Sequence, residues 1–348
     1  MLKLLVIGPG LIGKKHIALI CDNLRCKLEA IVTAHPAKHK DLSEDLCVPI
    51  YNLLDEALSH HQFDGAIIAS PNNLHVSQAK VLLKNQIPLL IEKPLSSTIE
   101  SAEELVHLSQ TAQVPVLVGH HRTYSSYVDA AKKIITSPQF GRLVSVQASA
   151  LFYKPTQYFL DGPWRTELGG GPILINLIHD IGMLRSLCGE IATVFAFGSN
   201  SQRLYEVEDT VAISFRFTNG ALGTFLLSDC AASYKSWEMT SGENPAYPFF
   251  PNEASYHFSG TNGSLDYPNM KFNFFADKEK ASWWNGFVKQ EKHIDFVDPL
   301  EKQLDHFIDV IKRNAKPIVS AENGLMNMYV IEAISQSITQ QRPISLRE

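Results

Sequence analysis

The chain has no run of about 18 or more apolar residues, so it lacks the length of a membrane-spanning helix. Cysteine is scarce. The five residues Cys21, Cys26, Cys47, Cys188 and Cys230 are scattered, odd in number and free of any CxxC pair. Such a set supplies neither a disulfide framework nor a structural zinc site. The thiols are expected as small core residues, and no metal site is expected. There is also no basic block, and the net charge is −5. A nucleic-acid binder usually carries a basic face, so nucleic acid is an unexpected partner. The start, MLKLLVIGPGLIG, is apolar but broken by Pro9 and three glycines. It lacks the charged leader and small-residue cleavage site of a signal peptide, so a cytoplasmic, non-membrane protein is expected.

What is present suits a soluble globular chain of about two domains: 348 residues, 45% hydrophobic and 19% charged. Short apolar runs at 2–7, 28–32, 65–69, 89–91 and 116–118 alternate with helical patterns at 11–21, 53–59, 74–83 and 99–111. Strands apolar on both faces, alternating with helices, indicate a parallel sheet covered on both sides. The pattern ends near Gly119, which predicts a doubly wound α/β Rossmann domain over 1–122. From 123 to 348 the character changes. A helix at 127–135 and a long strand at 143–152 precede an almost wholly apolar helix at 173–187. Five strand patterns follow between 194 and 275, two of them joined by the hairpin signal Asn219-Gly220, and helices at 300–313 and 325–340 close the chain. This predicts an α+β domain with a large open antiparallel sheet, whose uncovered face or edge invites a second copy of the chain. The segment 241–252, rich in Pro, Gly and Asn, is expected as a functional loop.

Gly8-Pro9-Gly10-Leu11-Ile12-Gly13 is a GxGxxG that follows the first strand directly and opens a helix. That context marks a dinucleotide site. One glycine makes the tight turn, one admits the pyrophosphate, and one lets the helix pack on the strand. Sites for NAD usually place an acid about 20 residues further on, at the end of the second strand. Here Thr33, Ala34, His35, Pro36, Ala37 and Lys38 stand there instead. A hydroxyl, an imidazole and a lysine suit a 2′-phosphate, so NADP is favoured over NAD.

Glu92-Lys93-Pro94 ends one strand, and Ser70-Pro71-Asn72-Asn73-Leu74-His75 follows another. The carboxyl ends of parallel strands face the ligand crevice of an open α/β sheet. Lys93, held before a proline, cannot continue a helix, and its amine suits transfer of a hydroxyl proton. Lys93-Pro94 is also a candidate cis bond. Beyond Gly169-Gly170-Gly171-Pro172, the apolar helix carries Asn176, His179 and Asp180. Spacings of three and four place them on one face. Polar groups on an apolar helix need partners, so the three form either a catalytic set or a self-satisfied core network. Tyr153, Lys154 and Arg165 are candidate substrate contacts, the two cations suiting a carboxylate.

With these motifs the chain resembles the Gfo/Idh/MocA family, the glucose–fructose oxidoreductase and inositol dehydrogenase relatives, over nearly its whole length. The residues carrying the likeness are GxGxxGxxH at Gly8 to His16, SPNNLH, Glu92-Lys93-Pro94, Gly119-His120-His121-Arg122, Trp164-Arg165 and the triple glycine leading to His179. The resemblance implies NAD(P)-dependent oxidation or reduction at a sugar, polyol, cyclitol or sugar-acid carbon, in a homodimer or homotetramer. It implies Lys93 and His179 as the proton-handling pair. It adds Ser70, Pro71, Asn72, His75, Glu92, His121, Trp164 and Arg165 as the cofactor's surroundings. Thr33 to Lys38 is similar to the strand end of NADP-holding glucose–fructose oxidoreductases. The chain departs from the pattern where many members carry Asp: Ile175 and Gly182 stand there. Asn176 or Asp180 is the substitute. An alternative is a dinucleotide-binding sensor without turnover.

Overall fold

A computed structural model describes residues 1–346. The chain divides into two compact units. The first is Met1–Tyr124 with Asp298–Met328, and the second is Ser125–Val297 with the chain from Tyr329 onward.

In the first unit, β1 (Leu2–Ile7), β2 (Cys26–Val32), β3 (Ile50–Tyr51), β4 (Gly65–Ile68), β5 (Leu89–Ile91) and β6 (Val116–Val118) form one sheet in the order β3-β2-β1-β4-β5-β6. Every pairing is parallel. This is the order of a doubly wound dinucleotide fold, with the reversal between β1 and β4. The strands are apolar on both faces because both are covered: Leu4, Leu5, Val6, Ile31 and Ile67 are fully buried. Each such side chain contributes about 1.5–3 kcal/mol by leaving water. The linking helices are α1 (Leu11–Asp22), α2 (Lys40–Leu46), α3 (Leu54–His60), α4 (His75–Lys84) and α5 (Ile99–Ala112). Thr98 caps α5 by accepting from the Ser101 amide at 3.2 Å, a contact worth about 1 kcal/mol.

The second unit begins with α6 (Ser126–Ile135) and β7 (Leu143–Leu151), followed by the short α7 (Thr156–Leu160). A π turn at Ile173–Leu177 runs into α8 (Ile178–Cys188). Then come β8 (Ile191–Ser199), β9 (Thr210–Phe217), β10 (Leu222–Ser228), α9 (Trp237–Thr240), β11 (Tyr256–Gly260), β12 (Gly263–Tyr267), β13 (Lys271–Phe274) and β14 (Val288–Glu291). With β15 (Ile344–Ser345) they make a nine-stranded sheet ordered β14-β13-β12-β11-β7-β10-β9-β8-β15. Pairing is antiparallel except between β7 and β10, which run parallel, so the sheet is mixed and largely antiparallel. One face packs Val146, Ala148, Ile213 and Phe215 against Val128, Ile181, Leu184 and Ile334 of the helices. The opposite face carries Gln147, Ser149, Ser214, Thr224, Leu226 and Phe197 around an open cavity of about 670 Å³. The alternation of buried and exposed residues along β9 and β10 is that of a sheet covered on one side only.

Two expectations need adjusting. The expected second domain ran without a break to the C-terminus, but α10 (Pro299–Ile311) belongs to the first unit. Its apolar stripe, Leu304, Phe307, Ile308 and Val310, completes the core around Leu4, Val6, Ile31, Ile67 and Leu90. Asp298 caps it at the Leu300 amide, with Pro299 in the first turn. The last helix, α11 (Ala321–Gln340), starts in that unit and ends in the second. The cysteines also differ from expectation. Cys26 and Cys188 are buried, but Cys21 and Cys47 are exposed and Cys230 is intermediate. Cys47 sits at the end of α2 in a left-handed conformation, where the chain turns at the surface.

Among the described residues no helix is long and apolar enough to cross a membrane. Among the same residues no group of three or more His, Cys, Asp or Glu is placed to hold a metal ion.

Candidate active site

The glycine loop joins β1 to α1. Gly8 adopts a φ of +87°, and a Cβ there would stand 2.7 Å from the Ser70 amide nitrogen. A Cβ on Gly13 would lie 2.0 Å from the Gly8 carbonyl oxygen, so only glycine lets α1 approach the loop. Gly10 is the opposite case, with nothing within 4 Å of its Cβ position. The backbone there faces open space at the N-terminus of α1, where free N–H groups and the helix dipole attract an anion. Leu11 is 87% exposed beside it. The arrangement fits a dinucleotide diphosphate: two glycines forced by packing, and one left open.

At the end of β2, Thr33 Oγ1 accepts from the His35 amide at 3.3 Å. Lys38 and His39 lie in the short turn Pro36–His39 that follows. Burial lowers the pKa of His39, and the charges of Lys14, Lys38 and His35 lower it further. Four basic side chains therefore share this corner of the first unit. Lys14 and His39 were not singled out from the sequence. The visible signal was Lys14 one residue past the glycine motif, in the second turn of α1.

Lys93 stands at the end of β5, partly exposed, and its bond to Pro94 is cis. Its neighbour Glu92 is buried, and Oε1 lies 2.8 Å from His16 Nε2. Burial pushes the Glu92 carboxyl up, but the hydrogen bond and charge of His16, aided by His121 and Lys93, hold it below its ordinary value. Glu92 Oε2 also accepts from the Lys93 amide at 3.3 Å. Gly119, at the end of the adjacent β6, makes the room: a Cβ there would be 2.9 Å from the Glu92 carboxylate. Burial, then the charge of Arg122, push His121 down to about 4, so it is a neutral imidazole near pH 7. His75 is 1% exposed. Its ring nitrogens face the Ser70 and Pro94 carbonyls at 2.9 and 3.0 Å. It thus ties the Ser70-Pro71-Asn72 loop to the loop of Lys93, with both nitrogens engaged by backbone. Ser70 Oγ donates to Gln78 at 2.6 Å.

In the second unit, Asp180 and Asn176 of the polar residues after the triple glycine turn to different partners. Asp180 is 1% exposed, and its carboxylate accepts from the Tyr256 hydroxyl on β11. Asn176 instead accepts from Lys154 Nζ at 2.7 Å. His179 is 8% exposed. The expected regular helix spacing is altered by the π turn over Ile173–Leu177, a form frequent at functional sites. Glu208 supports that turn by accepting from the Ile173 amide at 2.8 Å. Gly171 next to it has a φ of +79°, a conformation that L side chains rarely adopt, and a Cβ there would meet the Glu208 carboxylate at 2.7 Å.

Lys154 was expected to offer its charge to a substrate. Its side chain is 11% exposed, with Asp229 Oδ2 at 3.8 Å and the Tyr158 ring centroid at 4.7 Å. Burial pushes its pKa down to about 8, against the upward pull of Asp229. Arg165 stacks on Tyr158, 3.9 Å from the ring centroid, and donates to the Tyr158 carbonyl. Trp164 is 54% exposed and Tyr153 62%.

Residues 2–120 match the family model described as oxidoreductase family, NAD-binding Rossmann fold. Residues 128–266 match the GFO/IDH/MocA C-terminal domain. The myo-inositol 2-dehydrogenase of Thermotoga maritima is 24% identical over 99% of this chain and 98% of its own length. The WlbA dehydrogenase from Bordetella pertussis, solved with NADH and UDP-GlcNAcA, superposes with a TM-score of 0.79 at 21% identity, covering 100% of this chain and 99% of that one. An oxidoreductase from Agrobacterium radiobacter, solved with NAD+, L-tartaric acid and magnesium, gives 0.81 at 18% identity, covering 99% and 98%. The open glycine cradle, the lysine at the end of β5 and both matched domains agree: the chain belongs to the Gfo/Idh/MocA family of NAD-binding oxidoreductases.

Proposed function

We propose that this protein is a dehydrogenase/reductase acting on the secondary alcohol or ketone carbon of a sugar, polyol, cyclitol or sugar acid, with NADP preferred over NAD. The observation that carries the reading is that the open Gly10 backbone, the Ser70 loop and Lys93 all stand at the carboxyl ends of β1, β4 and β5. That is the ligand edge of such a sheet. Relatives named for inositol, and one solved with a nucleotide sugar acid, support the substrate class.

When bound, the nicotinamide supplies the hydride acceptor or donor. The backbone of Gly8, Gly10, Leu11, Ile12 and Gly13 holds the diphosphate. Thr33, His35 and Lys38, joined by Lys14 and His39, hold the 2′-phosphate. Ser70, Pro71, Asn72, Glu92, His121, Trp164 and Arg165 border the dinucleotide, with His75 locking two of these loops together. Lys93 and His179 hold and move the hydroxyl proton. In oxidation the pair would take the O–H proton as the carbonyl forms, and in reduction it would return that proton. Tyr153 and Asn176 contact substrate. The chain works as a homodimer or a dimer of dimers.

The test is a panel of sugars, polyols, cyclitols and sugar acids with both cofactors, followed by the absorbance of the reduced nicotinamide. Turnover of at least one member, faster with NADP, is expected. Dinucleotide binding without turnover of any member would overturn the enzymatic reading in favour of a sensor.

A further inference from the structure

Asn176 is the one polar residue of the π turn. Its Oδ1 lies 2.7 Å from Lys154 Nζ. A lysine ammonium is a donor only, so the atom facing it is the carboxamide oxygen. The oxygen is thereby engaged, and the NH2 group of Asn176 has no hydrogen-bond partner among the described residues. It is also not sealed in the core, because Asn176 is only partly buried. The amide is thus oriented, with its donors outward.

Lys154 itself is fixed from several sides. Its backbone N–H donates to the Asp229 carbonyl at 2.8 Å. Arg203 donates to the Lys154 carbonyl at 2.8 Å and, through Nε, to the Asp229 carboxylate at 2.7 Å. The Tyr158 and Phe152 rings lie 4.7 and 5.5 Å from Nζ. Holding a buried ammonium in this way is expensive unless its bonds are made, and Asn176 Oδ1 is the closest of them. The cation is consumed inside the protein, which leaves it poorly suited to the carboxylate contact expected from the sequence.

We propose that Lys154 is a positioning residue: by holding Asn176 Oδ1, it turns the Asn176 NH2 toward the substrate, where it donates to an acceptor oxygen, a carbonyl, carboxylate or hydroxyl lone pair. The proposal rests on the reading of the second unit as the substrate-holding part. It assigns to Asn176 a donor's role, which an aspartate at that position cannot perform.

Three variants separate the possibilities, assayed with the panel member of highest turnover at saturating cofactor. Lys154→Met should raise KM about tenfold with kcat within about threefold, equivalent to about 1.4 kcal/mol of binding. Lys154→Arg should restore most of the loss, because it keeps a donor. Asn176→Asp keeps the acceptor for Lys154 but has no NH2, so KM should rise similarly while the thermal midpoint does not fall. Wild-type KM in Asn176→Asp would overturn the donor role. A second measurement needs no substrate. In protein labelled with 15N-asparagine, the side-chain amide pair of Asn176 is assigned by its loss in Asn176→Ala. Lys154→Met should shift that pair, and Lys154→Arg should shift it less. An unmoved pair in Lys154→Met would overturn the positioning role. A panel without any turnover would instead count against the proposed activity, and the amide shift would still decide the Lys154 contact.

Discussion

Lys93 stands just past the three-residue strand β5, beside a buried glutamate whose carboxylate is already bound to His16. Glu92 therefore serves the loop, and the Lys93 amine is the group proposed for proton transfer. Lys93→Met is expected to leave dinucleotide affinity nearly intact while lowering turnover at least ~10²-fold, the lower range of general acid–base catalysis. Stopped turnover together with lost cofactor binding would instead mean a collapsed loop. His179→Ala should also lower turnover with the cofactor still bound, and a loss of thermal stability alone would make His179 a core residue. The corner at Thr33 bears on the cofactor. One charge-assisted contact to a 2′-phosphate contributes roughly 1.5–3 kcal/mol, and tenfold selectivity needs only about 1.4 kcal/mol. Thr33→Asp should shift preference from NADP toward NAD in fluorescence titrations. If the wild type already prefers NAD and the variant is unchanged, these residues do not read the phosphate. Gly8, Gly13 and Lys93 were legible because their signals are local: a glycine spacing, a strand end, a following proline. The contact of Lys154 with Asn176 was not, because the two lie 22 residues apart and meet only in the fold.

Short two-faced apolar strands announced the first sheet, and β1, β5 and β6 begin and end where their apolar runs do. The π turn was hidden, since apolar residues on all sides look the same in an α-helix and a π turn. Likewise α10 reads as amphipathic wherever it docks, so nothing local revealed that its stripe fills the first unit's core. The parallel β7–β10 pair is a matter of topology, which composition does not encode. On the sheet itself, His257 of β11 and Asp266 of β12 are cross-strand partners, and the Asp266 hydrogen bond raises the His257 pKa. A raised folded-state pKa gives stability that is complete below the unfolded value, about 6.5, and is lost as pH rises through the folded one. His257→Gln should therefore flatten the fall in thermal midpoint between about pH 6 and pH 8. An unchanged slope would show that the pair contributes nothing, as exposed pairs often do.

The molecule presents one sheet face to solvent, with Phe197 62% and Leu226 42% exposed over an open cavity. Exposed apolar area of this kind marks an interaction surface, and a self-complementary face suits a two-fold dimer. A homodimer or larger even assembly is expected by light scattering at micromolar concentration. Leu226→Glu should yield a folded monomer, whereas a monomeric wild type would contradict the assignment. The reaction proposed for the whole molecule is hydride transfer between dinucleotide and carbinol carbon. It is tested by following deuterium from NADPH carrying two deuterium atoms at nicotinamide C4 into products formed from a panel of keto sugars, keto polyols and keto acids. One carbon-bound deuterium is expected at the new carbinol centre of at least one product, lost in Lys93→Met. Products formed without carbon-bound deuterium, or with hydrogen drawn only from water, would contradict it.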